Sequence, residues 1–312
     1  MVTSYLLHPE KQIVNPFKAK VKMRPSDSVG HTPLLKLSEK LYAKFETLNP
    51  SGSIKDRIAT YIINDAEKNH LIKKGDTIVE ATSGNTGIAF AFIGAERGYN
   101  VKIVMPANMS EERKQMMRLF GAEIIEVPDG DFDGAIELRD ELTAVNGWFN
   151  PNQFHNPLNM ECHERTTGIE IITQTKHLGK ISALVLGTGT GGTLMGIRKT
   201  LLKTHSDMKV IALEPAESPV MSGGEHGVHG IQGIGDGSKF LVDLNVLDEI
   251  LLVTTEEAKE RAKRLIKEKG IFVGFSSGAN VLAAERWIEK NNPEGIVVTV
   301  LSDRAERYLS LF

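Results

Sequence analysis

A chain of 312 residues is long enough for two domains, or for one large α/β domain with lobes, and 41% hydrophobic with 25% charged residues is the balance of a soluble globular enzyme. Its formal net charge of -3 gives no reason to expect nucleic acid or an anionic membrane as partner, and no apolar run approaches the length of a bilayer span. One cysteine, Cys162, excludes an intrachain disulfide and suits a reducing cytoplasm.

The opening residues Met1 to Pro9 have neither the basic region nor the apolar core of a signal peptide, and no usable periodicity appears before His31. The first informative run is Asn49-Pro50-Ser51-Gly52-Ser53-Ile54-Lys55-Asp56-Arg57, where a turn of Pro, Gly and Ser delivers Lys55 to the start of a helix with apolar residues on one face. A partly desolvated lysine amine loses its proton more readily, and only the neutral amine forms a Schiff base with an aldehyde. By itself the run reads as a solvated lysine in a first turn; the rest of the chain argues otherwise.

From about Tyr42 onward short β-branched runs alternate with amphipathic helices. Strands are expected at Thr77–Glu80, Val101–Met105, Ile124–Val127, Ala183–Leu186, Lys209–Leu213 and Ile296–Val300. Helices are expected over Ser110–Phe120, stopped by Gly121, and over Thr255–Lys269, stopped by Gly270. The Pro- and Asn-rich stretch Asn150–Pro157 breaks the alternation and divides the chain into an N-terminal lobe over 35–155 and a C-terminal lobe of 1–34 plus 156–312. Near-continuous apolar strands predict twisted, mostly parallel sheets flanked by helices, an α/β fold in two lobes.

One element occurs three times: a strand, a loop of Gly, Ser, Thr and Asn, then a helix. The loops are Thr82-Ser83-Gly84-Asn85-Thr86-Gly87, Gly187-Thr188-Gly189-Thr190-Gly191-Gly192-Thr193 and Gly274-Phe275-Ser276-Ser277-Gly278-Ala279-Asn280. Each offers outward N–H groups and hydroxyls at a helix N-terminus, a geometry that binds anions. Gly187, Gly189 and Gly192 also satisfy the G-x-G-x-x-G dinucleotide fingerprint, with Glu214 in the place of its acidic residue. Against a nicotinamide reading, Thr188, Thr190 and Thr193 supply hydroxyls suited to a terminal phosphate, and a dinucleotide leaves Lys55 and the other loops unused.

These runs, with Gly230-Ile231-Gln232-Gly233-Ile234-Gly235 between the second and third loops, closely resemble the cysteine synthase and cystathionine β-synthase family, pyridoxal-phosphate enzymes of fold type II. The resemblance extends from about Gly30 to Tyr308. It implies pyridoxal 5'-phosphate as cofactor, held through the amine of Lys55. Gly189, Thr190, Gly191, Gly192 and Thr193 would cradle its phosphate, Asn85 would bond the ring hydroxyl oxygen, and Ser276 the pyridine nitrogen. Thr82, Ser83, Thr86 and Gln153 would take the substrate α-carboxylate. A serine at the pyridine nitrogen fits β-elimination over transamination.

The implied reaction exchanges a leaving group on Cβ of a small amino acid for a nucleophile, sulfide or a thiol, in a cytoplasmic homodimer. A low-turnover module that holds the tail of a serine acetyltransferase is the non-catalytic alternative. The chain departs from the family after Gly235, where Asp236 stands in place of a small residue. A carboxylate there would repel sulfide and could act as a base towards water, turning the reaction to cysteine breakdown with release of hydrogen sulfide; the plainer alternative is a turn cap. His226 and His229 could pass for metal ligands but have no completing partners. No haem-binding or regulatory module is expected.

Overall fold

The computed structural model describes residues 24–82, 84–235 and 240–312. The larger sheet is built from β1 (Leu34–Lys36), β2 (Leu41–Phe45), β6 (Ile181–Gly187), β7 (Lys209–Pro215), β8 (Glu249–Val253) and β9 (Ile296–Leu301), in the order β1-β2-β9-β6-β7-β8. All its pairings are parallel except β1 with β2. The smaller sheet is β3 (Thr77–Ala81), β4 (Asn100–Pro106) and β5 (Glu123–Val127), wholly parallel.

Every strand expected from the sequence is present, lengthened by one to three residues. β1, β2 and β8 were not expected. The buried Lys44 interrupts the apolar pattern of β2, and its ammonium is partnered by Glu170 at 2.6 Å, by Gln174 Oε1 at 3.1 Å and by the Thr32 carbonyl. Because β2 pairs with β9, the segment 34–45 belongs to the larger sheet, and a lobe boundary at residue 35 cuts through it. The smaller sheet does not begin until Thr77.

Strand periodicity explains the layering. Along β6, Ala183 and Val185 face the helices α8 (Thr255–Lys269) and α9 (Phe275–Asn291), while Leu184 and Leu186 face α6 (Thr167–Thr175) and α7 (Gly192–Leu201). In the smaller sheet Ile78, Ile103 and Met105 pack under α1 (Lys55–Lys68) and α2 (Asn85–Arg97), and Val79, Ala81 and Val104 face α4 (Phe132–Asn146). Both faces of both sheets are covered, which is why the strands read as apolar runs. The expected helix stops hold: Gly270 ends α8 at φ 66°, and Gly121, at φ 88°, follows Phe120, the C-cap of α3 (Glu111–Leu119).

α5 (Pro157–Arg165) starts at the Pro- and Asn-rich stretch, with Asn156 as its N-cap accepting from the N–H of Leu158. It crosses α7 closely at Gly196, where a Cβ would lie 2.3 Å from the Met160 carbonyl oxygen and 2.7 Å from the His163 Cβ. Gly196→Ala is therefore expected to destabilise the fold by about 1–3 kcal/mol despite alanine's better helix propensity, because backbone must move. Thermal melting checks this; a variant as stable as the parent would show that the helices separate freely.

Candidate active site

The turn before α1 places Lys55. Gly52, at φ 89°, makes the turn and lies against Arg304. The N–H of Ile54 donates to the Ser302 carbonyl at 2.8 Å, tying the turn to the end of β9. The Ser53 hydroxyl accepts from the Lys55 N–H at 3.2 Å. Beside it, the buried Asp56 carboxylate accepts from the Ser51 N–H at 2.6 Å and from the Ser51 hydroxyl; burial outweighs these bonds and pushes its pKa up to about 6. Lys55 itself is half-buried at the mouth of the cleft between the sheets.

After β3 the first loop turns at Gly84, whose φ of 155° suits glycine and whose missing Cβ leaves room for the Arg113 side chain. Thr82 Oγ1 accepts from the Gly84 N–H at 3.0 Å, which leaves its own proton to donate. Thr86 donates its hydroxyl to Gln153 Oε1 at 2.6 Å, and Gln153 Nε2 donates to the Ala81 carbonyl at 3.0 Å. Gln153 thus has one orientation, with one N–H left for the cleft; in this arrangement the Thr86 hydroxyl orients Gln153. Below it, the Gln153 N–H donates to the buried Glu80, which Arg139 partners at 3.1 Å. Ser83 lies outside the described residues.

The second loop follows β6, and Asn280 holds its start by accepting from the Gly187 N–H at 2.7 Å while donating to the Val300 carbonyl. Among the described residues no acceptor takes the N–H of Gly189, Thr190 or Gly191. Unused amides at the N-terminus of α7 are what a phosphate dianion needs. Two buried polar residues on α5, which sequence reasoning did not single out for the site, shape this cradle. Asn159 donates to the Gln153 carbonyl at 2.8 Å and to Thr190 Oγ1 at 3.0 Å, filling the space a Cβ on Gly192 would need. His163 sits between Thr193 Oγ1 at 3.1 Å and Thr167 Oγ1 at 2.8 Å; burial first, then the charges of Arg57 and Lys55, hold its pKa well below the usual value, so the ring is neutral. His163 thus buttresses Thr193.

The third loop opens α9, with Ser276 buried in its first turn. Lys55, Thr82, Asn85, Thr86, Gln153, Gly189, Thr190, Gly191, Thr193 and Ser276 line one cleft. Gly192 is adjacent but does not line it. Among the described lining residues there is no acidic side chain, so the hydroxyl of Ser276, not a carboxylate, is available to a ring nitrogen there. An amine, a cradle of unused amides and a neutral hydroxyl form a donor set that fits pyridoxal phosphate.

Gly233 and Ile234 line the cleft as well. Their loop is stitched to the second loop on both sides, through the Gly235 N–H to the Thr188 carbonyl at 2.9 Å and the Leu241 N–H to the Thr190 carbonyl at 3.0 Å. Asp236, between those anchors, lies outside the described residues. The dinucleotide reading loses its acidic residue: the buried Glu214 accepts from the N–H groups of Met221 and Ser222 and from the Ser222 hydroxyl, and so caps a turn. No cluster of three His, Cys, Asp or Glu suited to a metal exists among the described residues, and His229 instead bonds the Gly235 carbonyl at 3.0 Å. No helix among the described residues is long and apolar enough to cross a membrane.

Residues 25–303 match the family model described as pyridoxal-phosphate dependent enzyme. A cysteine synthase of Staphylococcus aureus is 44% identical over 294 residues, covering 90% of this chain and 94% of the relative. Among solved structures, an O-ureido-L-serine synthase superposes with a TM-score of 0.89 at 38% identity, over 94% of this chain and 95% of the other. A hydrogen sulfide-producing enzyme from Fusobacterium nucleatum gives a TM-score of 0.87 at 42% identity, over 91% of this chain and 89% of the other.

Proposed function

As the chain belongs to the family of pyridoxal-phosphate-dependent enzymes, we propose that it performs β-replacement on a small L-amino acid in the manner of a cysteine synthase, converting O-acetyl-L-serine and sulfide to L-cysteine and acetate. The observation that carries this reading is the convergence of Lys55, the first loop with its Thr82 and Thr86, the amide cradle and Ser276 on a single cleft.

Pyridoxal phosphate, when bound, supplies the conjugated ring that draws electrons from the substrate Cα. The residues do the rest. Gln153, with its one uncommitted N–H, and Thr82, with its free hydroxyl proton, orient the α-carboxylate together with Ser83 and the backbone at Thr86. The Lys55 amine removes the Cα proton and later returns it, on the face of the substrate that it approaches from α1. Asn85 would hold the ring hydroxyl oxygen, and Ser276, unable to give up a proton to the ring as an acid would, would keep the electron demand short of what transamination requires. Gly189 through Thr193 would receive the phosphate. A cytoplasmic homodimer, with serine acetyltransferase as an associated protein, belongs to the same reading.

A sulfide electrode tests the assignment with purified, cofactor-loaded protein in two cuvettes, one holding O-acetyl-L-serine plus sulfide and the other L-cysteine alone. Consumption in the first is expected. Silence in both would end the proposal.

One observation favours a second reading, L-cysteine plus water to L-serine plus hydrogen sulfide. Asp236 follows directly on Gly235, in a loop whose Gly233 and Ile234 line the cleft. A carboxylate there takes a proton from water as its oxygen adds to Cβ, and discourages return of the sulfide anion. On this reading Asp236→Asn lowers sulfide release from cysteine by about a hundredfold, while consumption of sulfide with O-acetyl-L-serine survives. Unchanged release from cysteine would return Asp236 to the role of a turn cap.

A further inference from the structure

We propose that the segment after β9, from Asp303 to Tyr308, is a positioning device for the cofactor site: Asp303 and Arg307 together impose one orientation on the Asn85 carboxamide, and Arg307 ties that orientation to the turn that presents Lys55. The inference rests on the reading of Asn85 as a partner of the cofactor ring.

A carboxamide can flip by half a turn with little change of shape, exchanging its acceptor for its donors. At Asn85 the two ends meet partners that tolerate only one arrangement. Arg307, a group with donors alone, gives its Nε–H to Asn85 Oδ1 at 2.7 Å. Asp303 Oδ2 accepts from Asn85 Nδ2 at 2.7 Å and also accepts the Tyr308 hydroxyl at 2.6 Å. A flipped amide would set N–H against guanidinium and oxygen against a carboxylate oxygen. Held this way, Nδ2 keeps its second hydrogen for the cleft that Asn85 lines.

The same guanidinium reaches the Lys55 side. Arg307 is fully buried, and its Nη2 donates to the Ser51 carbonyl while Nη1 bonds Glu306 at 2.9 Å. Ser51 in turn donates its N–H and hydroxyl to Asp56, the residue after Lys55. The backbone repeats the tie: the Arg304 N–H donates to the Gly52 carbonyl at 3.1 Å, and Ser53 bridges to Asp303. One short C-terminal segment therefore sets, from behind, both the residue proposed to hold the ring oxygen and the turn proposed to hold the amine. On the far side the Arg113 guanidinium lies over the Tyr308 ring, 4.8 Å from its centroid, and bonds its hydroxyl at 2.7 Å. Arg113 also reaches Gln232, in the loop that carries Gly233 and Ile234. The bond chain from Asn85 thus continues to the opposite wall of the cleft.

The test uses cofactor-loaded full-length protein and reads two quantities, the visible absorption spectrum and the cofactor dissociation constant from equilibrium dialysis. Arg307→Met, Asn85→Ala and the double variant complete a cycle. Asn85→Ala and Arg307→Met are each expected to weaken cofactor binding about tenfold and to shift the spectrum in the same direction, since each removes a bond to a charged or ring partner. In the double variant Arg307→Met is expected to add less than about twofold, because its target is gone. The proposal falls if Arg307→Met leaves both quantities unchanged while Asn85→Ala alters them, or if its full effect persists without Asn85. If Asn85→Ala itself alters neither, the ring-partner reading of Asn85 falls with it. Should Arg307→Met not fold, Arg307→Lys keeps the charge but cannot span Ser51 and Asn85 at once, and it is held to the same two criteria.

Discussion

Lys55→Ala is expected to lower turnover of O-acetyl-L-serine by about a thousandfold or more, and to abolish the visible absorption of the loaded protein. On the roles proposed for Lys55 two losses combine: the covalent anchor of the cofactor and the base for the Cα proton, a role that alone contributes about 10²–10⁴-fold. The site offers no substitute. Apart from Lys55, the charged side chain lining the described cleft is Arg113, whose guanidinium is engaged by the Tyr308 hydroxyl and Gln232. A small exogenous amine is expected to restore part of the rate, since it can enter the space the side chain leaves. A sulfide electrode with and without ethylamine measures both effects. A variant that keeps a tenth of the parent rate would remove Lys55 from the mechanism.

Two residues further on, Arg57→Met is expected to cost about 3–5 kcal/mol of stability, because it strands a buried charge. Arg57 gives its Nε–H to Glu46 at 2.7 Å and two Nη groups to Glu170 at 2.7 and 2.8 Å. Glu46 is fully buried; burial disfavours its charge, but Arg57 and the Thr32 hydroxyl more than offset this and hold its carboxyl below the ordinary range. Lys44, equally buried, depends on the same Glu170 at 2.6 Å. The cluster joins β2, α1 and α6, so it is also what sets the axis on which Lys55 sits. A fall in melting temperature of roughly 10 °C is the corresponding measurement. An unchanged melting temperature would mean that the buried carboxylates take up protons at no cost.

The same cluster gives the fold an acid limit. Burial raises the Glu170 pKa, but Arg57 and Lys44 outweigh it and bring it down to about 2 from an ordinary 4.5. A carboxyl depressed by folding stabilises the folded state above its unfolded pKa, and that stability is lost as pH falls from about 4.5 towards 2. Asp56 acts in the opposite sense. Its pKa, raised to about 6 from an ordinary 3.8, makes the folded state bind the extra proton, so its contribution declines as pH rises through that interval. Stability curves of Glu170→Gln and Asp56→Asn variants separate the two.

Much of the candidate site could be read from the chain before any coordinates. The three loops are local objects: glycine where the backbone must turn, hydroxyls beside it, and a helix whose first amides have no partner of their own. The amphipathic helices and the apolar strands of a doubly covered sheet are also near-neighbour patterns, which is why α8 ends where Gly270 stands. What the chain concealed was β2, because Lys44 looks like a surface residue until Glu170, far along the sequence, arrives to pair with it.

By itself, then, the sequence determined which backbone donors and which amine exist, and with them the α/β class and the family. The tertiary structure alone decided how they are aimed. Asn159 reaches Gln153 and Thr190, His163 props Thr193, and Arg307 grips Asn85 across 222 residues. Such orientations come from pairing buried donors with acceptors on distant elements, where water cannot substitute for a missing partner, and no local periodicity records them.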